Sequence, residues 1–402
     1  MSLDLSKIAA AVSRMAESSK AGLEERRQHL STALEVMADE SRTSEELKEK
    51  IESSKTSWLL AGLTDGLAGC YPAPPLPPEF TVLASDGSHI DVDRHQSVRC
   101  YLINIGSAAL RYGDAPQATL ESHPRLYSSE EDFVIAEPRA GGREQIIEGS
   151  LLGIKRNVAE VGHLTELAVA LPPNYPALAL VDGTLIMWGL TSQGYPDFVV
   201  EALLAQGFLK DLDRMLALST QRPLALASYI SFPRSTDVVN SIRVAICPHQ
   251  PVNCDRFCRE VPNGKRECDS VAGLRDRDLF AALLEPGQRS SLFKSSSKIV
   301  ERYGKHQVYF CYVKVDDEIA RLEMPEWTAT DERFLNLAHS LVLDQCRRGN
   351  GYPAALSEAH EQAVITGADR QQFARLVEMA MAEAKLPLSS SAKSQSKRTR
   401  WV

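Results

Sequence analysis

The stretch "ALALVDGTLI" (residues 177–186) decides the fold class of this chain. An uninterrupted apolar run that ends on Asp182 is typical of a strand buried on both faces of a parallel sheet. The stretch "TVLASDGSHI" (residues 81–90) has the same construction around Asp86, and in both stretches a glycine and a hydroxyl residue follow the aspartate. We therefore predict two buried strands that each end on a carboxylate, with a turn directly after it.

Strands alternate with helices along the neighbouring sequence. A helical pattern covers residues 143–171, another covers roughly residues 197–218, and residues 223–233 are strand-like. This alternation predicts an α/β sheet with crossover connections. Ligands of such sheets bind at the carboxyl ends of the strands, where we expect both aspartates to lie.

Both ends of the chain are predicted to be helical. Residues 1–70 have the pattern of a charged, amphipathic arm that packs on the core or on another subunit. Five prolines between residues 70 and 80 separate this arm from a main domain at residues 80–385. The main domain ends with two helices that break near Gly367, and the serine-rich, basic residues 386–402 are expected to be disordered.

The composition is that of a soluble globular protein, with 402 residues, 44% of them hydrophobic and 24% charged. The sequence shows no apolar run long enough to span a membrane and no secretory signal, which predicts a cytoplasmic protein with reduced cysteines. The net charge of −8 argues only weakly against nucleic acid, because a binding groove needs only local positive charge.

Two carboxylates at one sheet edge repel each other unless a cation neutralises them, and a hard divalent metal bound by oxygen ligands is the simplest candidate. The helix between the two strands offers Glu160 and Glu166. Their spacing of six residues separates them by about 120°, so only one can face the aspartates. "GYPAALSEAHEQAVI" (residues 351–365) adds Tyr352 and His360, and an imidazole shifts the preference from magnesium toward manganese.

The order of several phrases resembles the NurA nuclease family: "SDGS", then "RNVAE", then "LVDGTL", then "GYPAALSEAHEQAVI". "PGQRSSLF" and "EIARLEMPEW" are similar to that family too, and the likeness spans roughly residues 80–370. The resemblance implies an RNase H-like mixed sheet flanked by helices. It also implies a homodimer that cuts DNA with Mn²⁺ (or Mg²⁺) in double-strand break end resection, beside a HerA-type hexameric ATPase. The expected activity is that of a single-strand endonuclease, a 5′–3′ exonuclease, or both.

The family's functional residues map onto five positions of this chain. The resemblance makes Asp86 and Asp182 the metal-binding aspartates. It makes Tyr352 and His360 the two functional residues that come last in the sequence, with His360 as a metal ligand. It makes Glu160 the helix carboxylate, because Glu160 follows an arginine by four residues as in the family's R-x-x-x-E phrase. Two divalent ions held there would activate a water and stabilise the leaving 3′-oxygen.

A basic segment at residues 287–307 is a candidate DNA-binding surface. It contains the cations Arg289, Lys294, Lys298, Arg302 and Lys305 and only one acid, Glu301. The last four cations are spaced by four, four and three residues, so they line up if the segment is helical. Such a stripe contacts the phosphate backbone and reads no sequence. A solvated basic face is the alternative.

A cysteine-containing insertion at residues 247–268 is the second candidate metal site. Cys247, Cys254, Cys258 and Cys268 lie close enough in sequence to enclose a structural Zn²⁺ ion or an iron–sulfur cluster. However, no C-x-x-C pair is present, so four unligated thiols in a loop are the alternative interpretation.

A catalytically silent DNA-binding clamp or adaptor that regulates a partner ATPase is the alternative function. Retention of every proposed ligand favours the nuclease. The sequence contains neither a Walker A phrase nor a dinucleotide-binding fingerprint, so any ATP-driven motor is expected to come from the partner.

Overall fold

The computed structural model describes residues 4–39, 45–91, 99–139, 141–173, 175–262 and 264–386. The predicted disordered tail therefore lies outside the described residues from position 387 onward. None of the helices in these ranges is long and apolar enough to cross a bilayer.

The strands are numbered in chain order. They are β1 (Ala61–Leu63), β2 (Cys70–Tyr71), β3 (Phe80–Ile90), β4 (Tyr101–Tyr112), β5 (Gln117–Tyr127), β6 (Val134–Ala136), β7 (Glu144–Ile146), β8 (Ala177–Asp182), β9 (Leu224–Ile230), β10 (Arg289–Ser290), β11 (Phe293–Ser295), β12 (Val308–Val315) and β13 (Glu318–Pro325).

The α-helices are numbered in the same way. They are α1 (Ser6–Ala21), α2 (Leu23–Ala38), α3 (Glu45–Glu52), α4 (Ser150–Ala170), α5 (Trp188–Ser192), α6 (Asp197–Val200), α7 (Lys210–Ser219), α8 (Asp237–Ile246), α9 (Cys254–Phe257), α10 (Asp276–Leu283), α11 (Glu326–Ala329), α12 (Glu332–Arg348), α13 (Ala354–Ala363) and α14 (Gly367–Glu383). A π-helical segment, Glu201–Leu209, joins α6 to α7, so the helix predicted near residues 197–218 is continuous.

Contacts divide the chain into two compact units. The first contains the residues up to Ala73 together with Ser231–Ser297 and Tyr309–Leu322, and the second contains Pro74–Ile230, Lys298–Val308 and the residues from Glu323 onward. The chain thus leaves the first unit in the proline-rich segment predicted as a boundary and later returns to it.

The second unit has an RNase H-like sheet. Its strands lie in the order β5-β4-β3-β8-β9. The first three are joined antiparallel, while β3, β8 and β9 run parallel to one another. Read along the chain this is the order 3-2-1-4-5 with the second strand reversed, so the mixed sheet expected from the resemblance is confirmed. The side chains of β8 before Asp182 are buried, as the apolar run predicts.

The prediction that a strand ends at Asp86 was wrong. Strand β3 continues to Ile90, because β4 pairs with it antiparallel along its whole length. The parallel pairing with β8 does stop at Ser85, which is opposite Val181. Asp86 therefore still lies at the carboxyl edge of the parallel strands, although the chain does not turn there.

Helices α4 and α13 cover opposite faces of this sheet. A Cβ atom at Gly87 would meet Glu160 of α4, whereas a Cβ atom at Gly106 would meet the backbone of α13. Asp86 is paired directly with Gly106, and directly paired residues point to the same face, so Asp86 lies on the face of α13. The two helices can therefore bring side chains to one strand from both sides.

The first unit contains the helical arm. Its core includes Ala33, Val36 and Met37 of α2 together with buried residues of α8 and α10. In contrast, the apolar side chains of α1 are exposed, among them Ile8 and Met15. Helix formation in the arm is confirmed for the described residues up to Glu52, and the chain beyond Glu52 forms turns and the short strand β1.

Candidate functional site

Asp86 is held in place by contacts at both of its carboxylate oxygens. Its Oδ1 atom accepts a hydrogen bond from the backbone N–H of Gly87 at 2.7 Å. Its Oδ2 atom lies 2.7 Å from Nδ1 of His360 on α13. The structure thus brings the first predicted aspartate into direct contact with the predicted imidazole.

The close packing of α13 on β4 positions His360. A Cβ atom at Gly106 would lie 2.2 Å from the carbonyl oxygen of Ala359, so only glycine permits this approach. The amide of Asn104 donates hydrogen bonds to the carbonyls of Gln362 and Ala363, each at 3.0 Å. These bonds satisfy carbonyls that the helix end leaves unpaired, and they attach α13 to the sheet beside Asp86.

Glu160 reaches the site from the opposite face. It is buried on α4, and a Cβ atom at Gly87 would lie 2.5 Å from its Oε1 atom. The pKa of Glu160 is raised to about 7. Burial is the largest cause, the Arg156 guanidinium opposes it, and the charges of Asp86 and Asp182 add to it. The charges of Asp86 and Asp182 therefore act on the buried Glu160 carboxyl group at this edge of the sheet.

Glu166, the other candidate on the same helix, points elsewhere. Its side chain is 60% exposed, and its Oε1 atom lies 2.8 Å from Nη1 of Arg214. The hydrogen bond from Arg214 lowers the pKa of Glu166, as expected for an ordinary surface carboxylate. The geometry thus separates the two glutamates that helical spacing alone left as alternatives.

Asp182 and Tyr352 form the third part of the site. Asp182 is the last residue of β8, and the chain turns at Gly183, which has a left-handed φ of 81°. Desolvation by its neighbours raises the pKa of Asp182, the hydrogen bond from the Tyr352 hydroxyl lowers it, and the charge of Asp86 raises it. Burial and the charge of Asp182 raise the pKa of the Tyr352 hydroxyl, which keeps it a proton donor.

These side chains suit a hard divalent cation. Oxygen donors and one imidazole are the ligand types that Mn²⁺ or Mg²⁺ accepts. The Oε1 atom of Glu160 is buried and accepts no aligned hydrogen bond, although Nε of Arg156 lies 2.9 Å away. As the side chains stand, the described ranges hold no group of three or more His, Cys, Asp and Glu residues arranged to bind a metal ion.

Glu323 is a supporting residue that sequence reasoning missed. It is buried on β13, and its Oε2 atom accepts hydrogen bonds from the Thr184 hydroxyl at 2.7 Å and the Leu185 N–H at 3.0 Å. These bonds hold the turn that follows Asp182. Glu323 belongs to the phrase "EIARLEMPEW", but a glutamate in a strand carries no local signal for this contact.

The basic segment is not a continuous helix, so the condition for a helical stripe is not met. Residues 289–290 and 293–295 are strands, and Val300–His306 is a 3₁₀ segment with a left-handed break at Gly304. Arg289 was wrongly predicted to be available to DNA, because it is buried with its guanidinium 4.1 Å from the ring centre of Tyr71.

The other four lysines and arginines of the segment, Lys294, Lys298, Arg302 and Lys305, are exposed. Lys294 belongs to the first unit, whereas Lys298 and Arg302 belong to the second. Arg302 lies 3.4 Å from the carboxylate of Asp197.

The four cysteines of the insertion are free thiols in the first unit. Helix α9 places Cys254 and Cys258 one turn apart. Burial raises the pKa of the Cys254 thiol, and the nearby thiols of Cys258, Cys268 and Cys247 raise it further. The sulfurs are therefore close enough to interact, yet they too form no group arranged for a metal ion within the described chain.

Comparisons with known proteins identify one family. The NurA domain model matches residues 80–365, which is most of the chain. Among solved structures, the NurA nuclease from Sulfolobus solfataricus is similar at 10% sequence identity and a TM-score of 0.47, with 96% of this chain and 98% of that chain covered. None of the curated proteins matches the sequence.

Proposed function

Because the chain belongs to the NurA family, we propose that it is a metal-dependent nuclease that hydrolyses phosphodiester bonds in DNA. One observation carries the proposal. Asp86, Glu160, Asp182 and His360 come from four separate elements and converge at the carboxyl edge of an RNase H-like sheet. Carboxylates are costly to bring together in a partly buried site, so their convergence supports a cation and a reaction that uses it.

Asp86, Glu160, Asp182 and His360 would hold one or two divalent ions, with Mn²⁺ preferred over Mg²⁺ on account of the imidazole. When bound, such ions lower the pKa of a water and stabilise charge on the attacking and leaving oxygens of a phosphodiester. Asp86 remains oriented by the N–H of Gly87 while His360 contacts its other oxygen.

The remaining side chains orient the substrate and balance charge. The Tyr352 hydroxyl donates to Asp182 and can turn to a phosphate oxygen when that carboxylate is neutralised. The Arg156 guanidinium is 30% exposed beside Glu160, which allows it to partner a phosphate as well. Both residues are therefore proposed to position the scissile phosphate.

Exposed cations are proposed to guide the DNA backbone. Lys294, Lys298 and Arg302 remain candidates for this role because their side chains reach solvent. We further propose that the protein acts as a homodimer beside a HerA-type hexameric ATPase in end resection, as a single-strand endonuclease, a 5′–3′ exonuclease, or both. The family membership supports these proposals.

A DNA-binding clamp without catalysis is the second candidate. It is favoured by the finding that the described side chains form no group already arranged for a metal ion. The two candidates differ in one respect, since a clamp would bind DNA without cutting it in any divalent ion.

A cleavage assay on end-labelled DNA with Mn²⁺, Mg²⁺ or a chelator tests the proposal. We expect cleavage with Mn²⁺, none with chelator, and a loss of roughly a hundredfold or more in Asp86→Asn and Asp182→Asn. Glu166→Gln is the matched control, because it removes an exposed carboxylate from α4 and should cut normally. Cleavage that persists in chelator, or in both aspartate variants, would overturn the proposed mechanism.

A structural Zn²⁺ ion or iron–sulfur cluster at Cys247, Cys254, Cys258 and Cys268 stays a separate proposal. The nearby Cys258, Cys268 and Cys247 thiols raise the pKa of the Cys254 thiol, which supports it. Metal analysis of freshly purified protein should detect zinc or iron, and Cys254→Ser together with Cys258→Ser should abolish the signal. A preparation free of both metals would rule it out.

A further inference from the structure

Phe232 has a backbone conformation that aromatic residues rarely adopt. It follows β9 by two residues, its φ angle is 47°, and 58% of its surface is exposed. A left-handed φ is unfavourable for a bulky side chain, and exposure of an aromatic ring to water adds a further cost. The surrounding structure must therefore hold Phe232 in place against both effects.

Glu318 provides that restraint from β13. One of its carboxylate oxygens, Oε1, accepts a hydrogen bond from the backbone N–H of Phe232 at 3.1 Å. The same atom accepts a hydrogen bond from the Ser231 hydroxyl at 2.7 Å. The two charge-assisted bonds fix the backbone of the turn, and the ring is consequently presented to solvent.

Arg277 stacks on the ring. Its guanidinium carbon lies 3.6 Å from the ring centre of Phe232, and its Nη1 atom donates a hydrogen bond to the Phe232 carbonyl at 3.3 Å. The ring is thus rigid and backed by a cation. Because the residue remains 58% exposed, the guanidinium does not bury it, and an aromatic surface stays available to a ligand.

More arginines surround this pair. Partial burial lowers the pKa of Arg277, and the nearby charges of Arg275, Arg26 and Arg234 lower it as well. Asp278 counteracts them, but its carboxylate is already engaged by Arg26. With Arg26 paired to Asp278, the charges of Arg277, Arg275 and Arg234 still outnumber that of Glu318, so the exposed aromatic ring lies in local positive charge although the chain's net charge is −8.

We propose that Phe232 and Arg277 form a stacking platform for an unpaired base of single-stranded DNA, with the neighbouring arginines contacting its phosphates. A flat, sequence-tolerant aromatic surface within positive charge is how proteins bind single strands without reading sequence. Duplex DNA keeps its bases stacked inside the helix and cannot use the ring. The proposal rests on the proposed function and narrows its substrate to strands with unpaired bases.

Binding measured in chelator separates this platform from catalysis. The probe is a fluorescent oligothymidylate of about 20 nucleotides, compared with a blunt duplex of the same length. We expect Phe232→Ala to weaken single-strand binding about tenfold and to leave duplex binding within about twofold, whereas Phe232→Trp retains single-strand binding. In a strand that carries 2-aminopurine, the fluorescence of that base should be quenched when the wild type binds and should not be quenched when Phe232→Ala binds.

Phe232→Gly serves as a control for misfolding of the variants. Glycine adopts the left-handed φ without strain, so this variant should melt at the same temperature as the wild type or higher while binding single strands weakly. Arg277→Gln should weaken single-strand binding more than Arg333→Gln. The latter removes the same charge from a cation that is 83% exposed beside Phe334.

Two results would overturn the platform. The first is binding of oligothymidylate by Phe232→Ala as tight as that of the wild type, which would show that the ring does not contact the strand. The second is an equal fall in single-strand and duplex binding in Phe232→Ala, which would indicate that the site does not distinguish unpaired bases. Failure of the nuclease proposal looks different, because the wild type would then bind oligothymidylate through Phe232 in chelator and yet cut no DNA with Mn²⁺.

Discussion

The imidazole of His360 and the carboxylate of Asp86 are in direct contact, with Nδ1 and Oδ2 2.7 Å apart across 274 residues of sequence. The carboxylate side chain is 18% exposed and the imidazole 60% exposed, so the pair lies at the boundary between the sheet and solvent. A strand residue thus supplies an acid and a helix near the end of the described chain supplies its partner. The contact depends on the packing of α13 at Gly106.

Substitution of His360 tests whether the imidazole is a ligand or only orients Asp86. His360→Asn preserves a donor that can reach the Asp86 carboxylate, whereas His360→Ala removes it. If the ring binds metal, both variants should lose about ten- to a hundredfold in Mn²⁺-stimulated cleavage. Full activity in His360→Asn with loss only in His360→Ala would restrict the residue to a positioning role.

Gly87→Ala should impair catalysis with little effect on folding. The new methyl group would lie 2.5 Å from Glu160 Oε1 and 3.0 Å from Cγ of Arg156, and both neighbours are flexible side chains that can move. Displacement of Glu160 by about 1 Å is expected to lower cleavage by roughly a hundredfold. Cleavage rates and thermal melts together check this.

Gly153→Ala provides the control for that measurement. Gly153 lies on α4 with open space around its Cα atom, and alanine is favoured over glycine in helices by about 0.5–1 kcal/mol. It should therefore melt slightly higher and cut normally. Normal cleavage by Gly87→Ala would show that cleavage does not depend on the position of the Glu160 side chain.

Gly106→Ala should lower both stability and activity. Its methyl group would lie 2.2 Å from the Ala359 carbonyl oxygen and 2.3 Å from the Ala363 nitrogen, so the backbone of α13 must shift. We expect a loss of about 1–3 kcal/mol in the free energy of unfolding, together with displacement of His360. Denaturant melts measure the loss of stability. Gly367→Ala is the control, because a Cβ atom at Gly367 would meet no other atom within 4 Å, and it should leave stability nearly unchanged. A Gly106→Ala protein as stable as the wild type would contradict this packing.

Glu160→Gln should stabilise the metal-free protein at high pH while abolishing cleavage. The pKa of Glu160 is raised from 4.5 to about 7, so the folded state holds its proton more tightly than the unfolded state does. The wild type therefore loses stability as the pH rises from about 4.5 to about 7, and the glutamine variant does not.

In chelator at pH 8, Glu160→Gln should be more stable than the wild type by roughly 1–3 kcal/mol, with the difference vanishing below about pH 4.5. Denaturant melts at several pH values measure it. Glu166→Gln again serves as the control, since the pKa of that exposed group is lowered rather than raised. The prediction would be wrong if the wild type became more stable relative to Glu160→Gln as the pH rises.

Much of the fold and most of the candidate site followed from local patterns. The apolar run before Asp182 predicted a buried strand, and β8 is one. Helical periodicity predicted α4 but could not choose between Glu160 and Glu166. The resemblance favoured Glu160, and the approach of α4 to Gly87 places that residue at the sheet edge. Periodicity indicates which face of an element is buried, but it does not indicate which other element packs against that face.

Partners distant in sequence explain what local patterns missed. Strand β3 continues past Asp86 because β4 pairs with it, and the basic segment is not a helix because parts of it pair as β10 and β11 with β12. For the same reason Arg289 is buried on Tyr71. A strand's hydrogen bonds lie on another segment, so its length depends on a partner that its own residues do not specify.

The sequence by itself determined which residues can supply carboxylates and an imidazole and which segments are apolar enough to form the sheet. The tertiary structure alone decided that Asp86 contacts His360, that Glu323 holds the turn after Asp182, and that Phe232 stands exposed against Arg277. Residue chemistry and periodicity are local properties of the chain. Contacts between side chains far apart in sequence depend on packing and strand pairing, which the whole chain settles together.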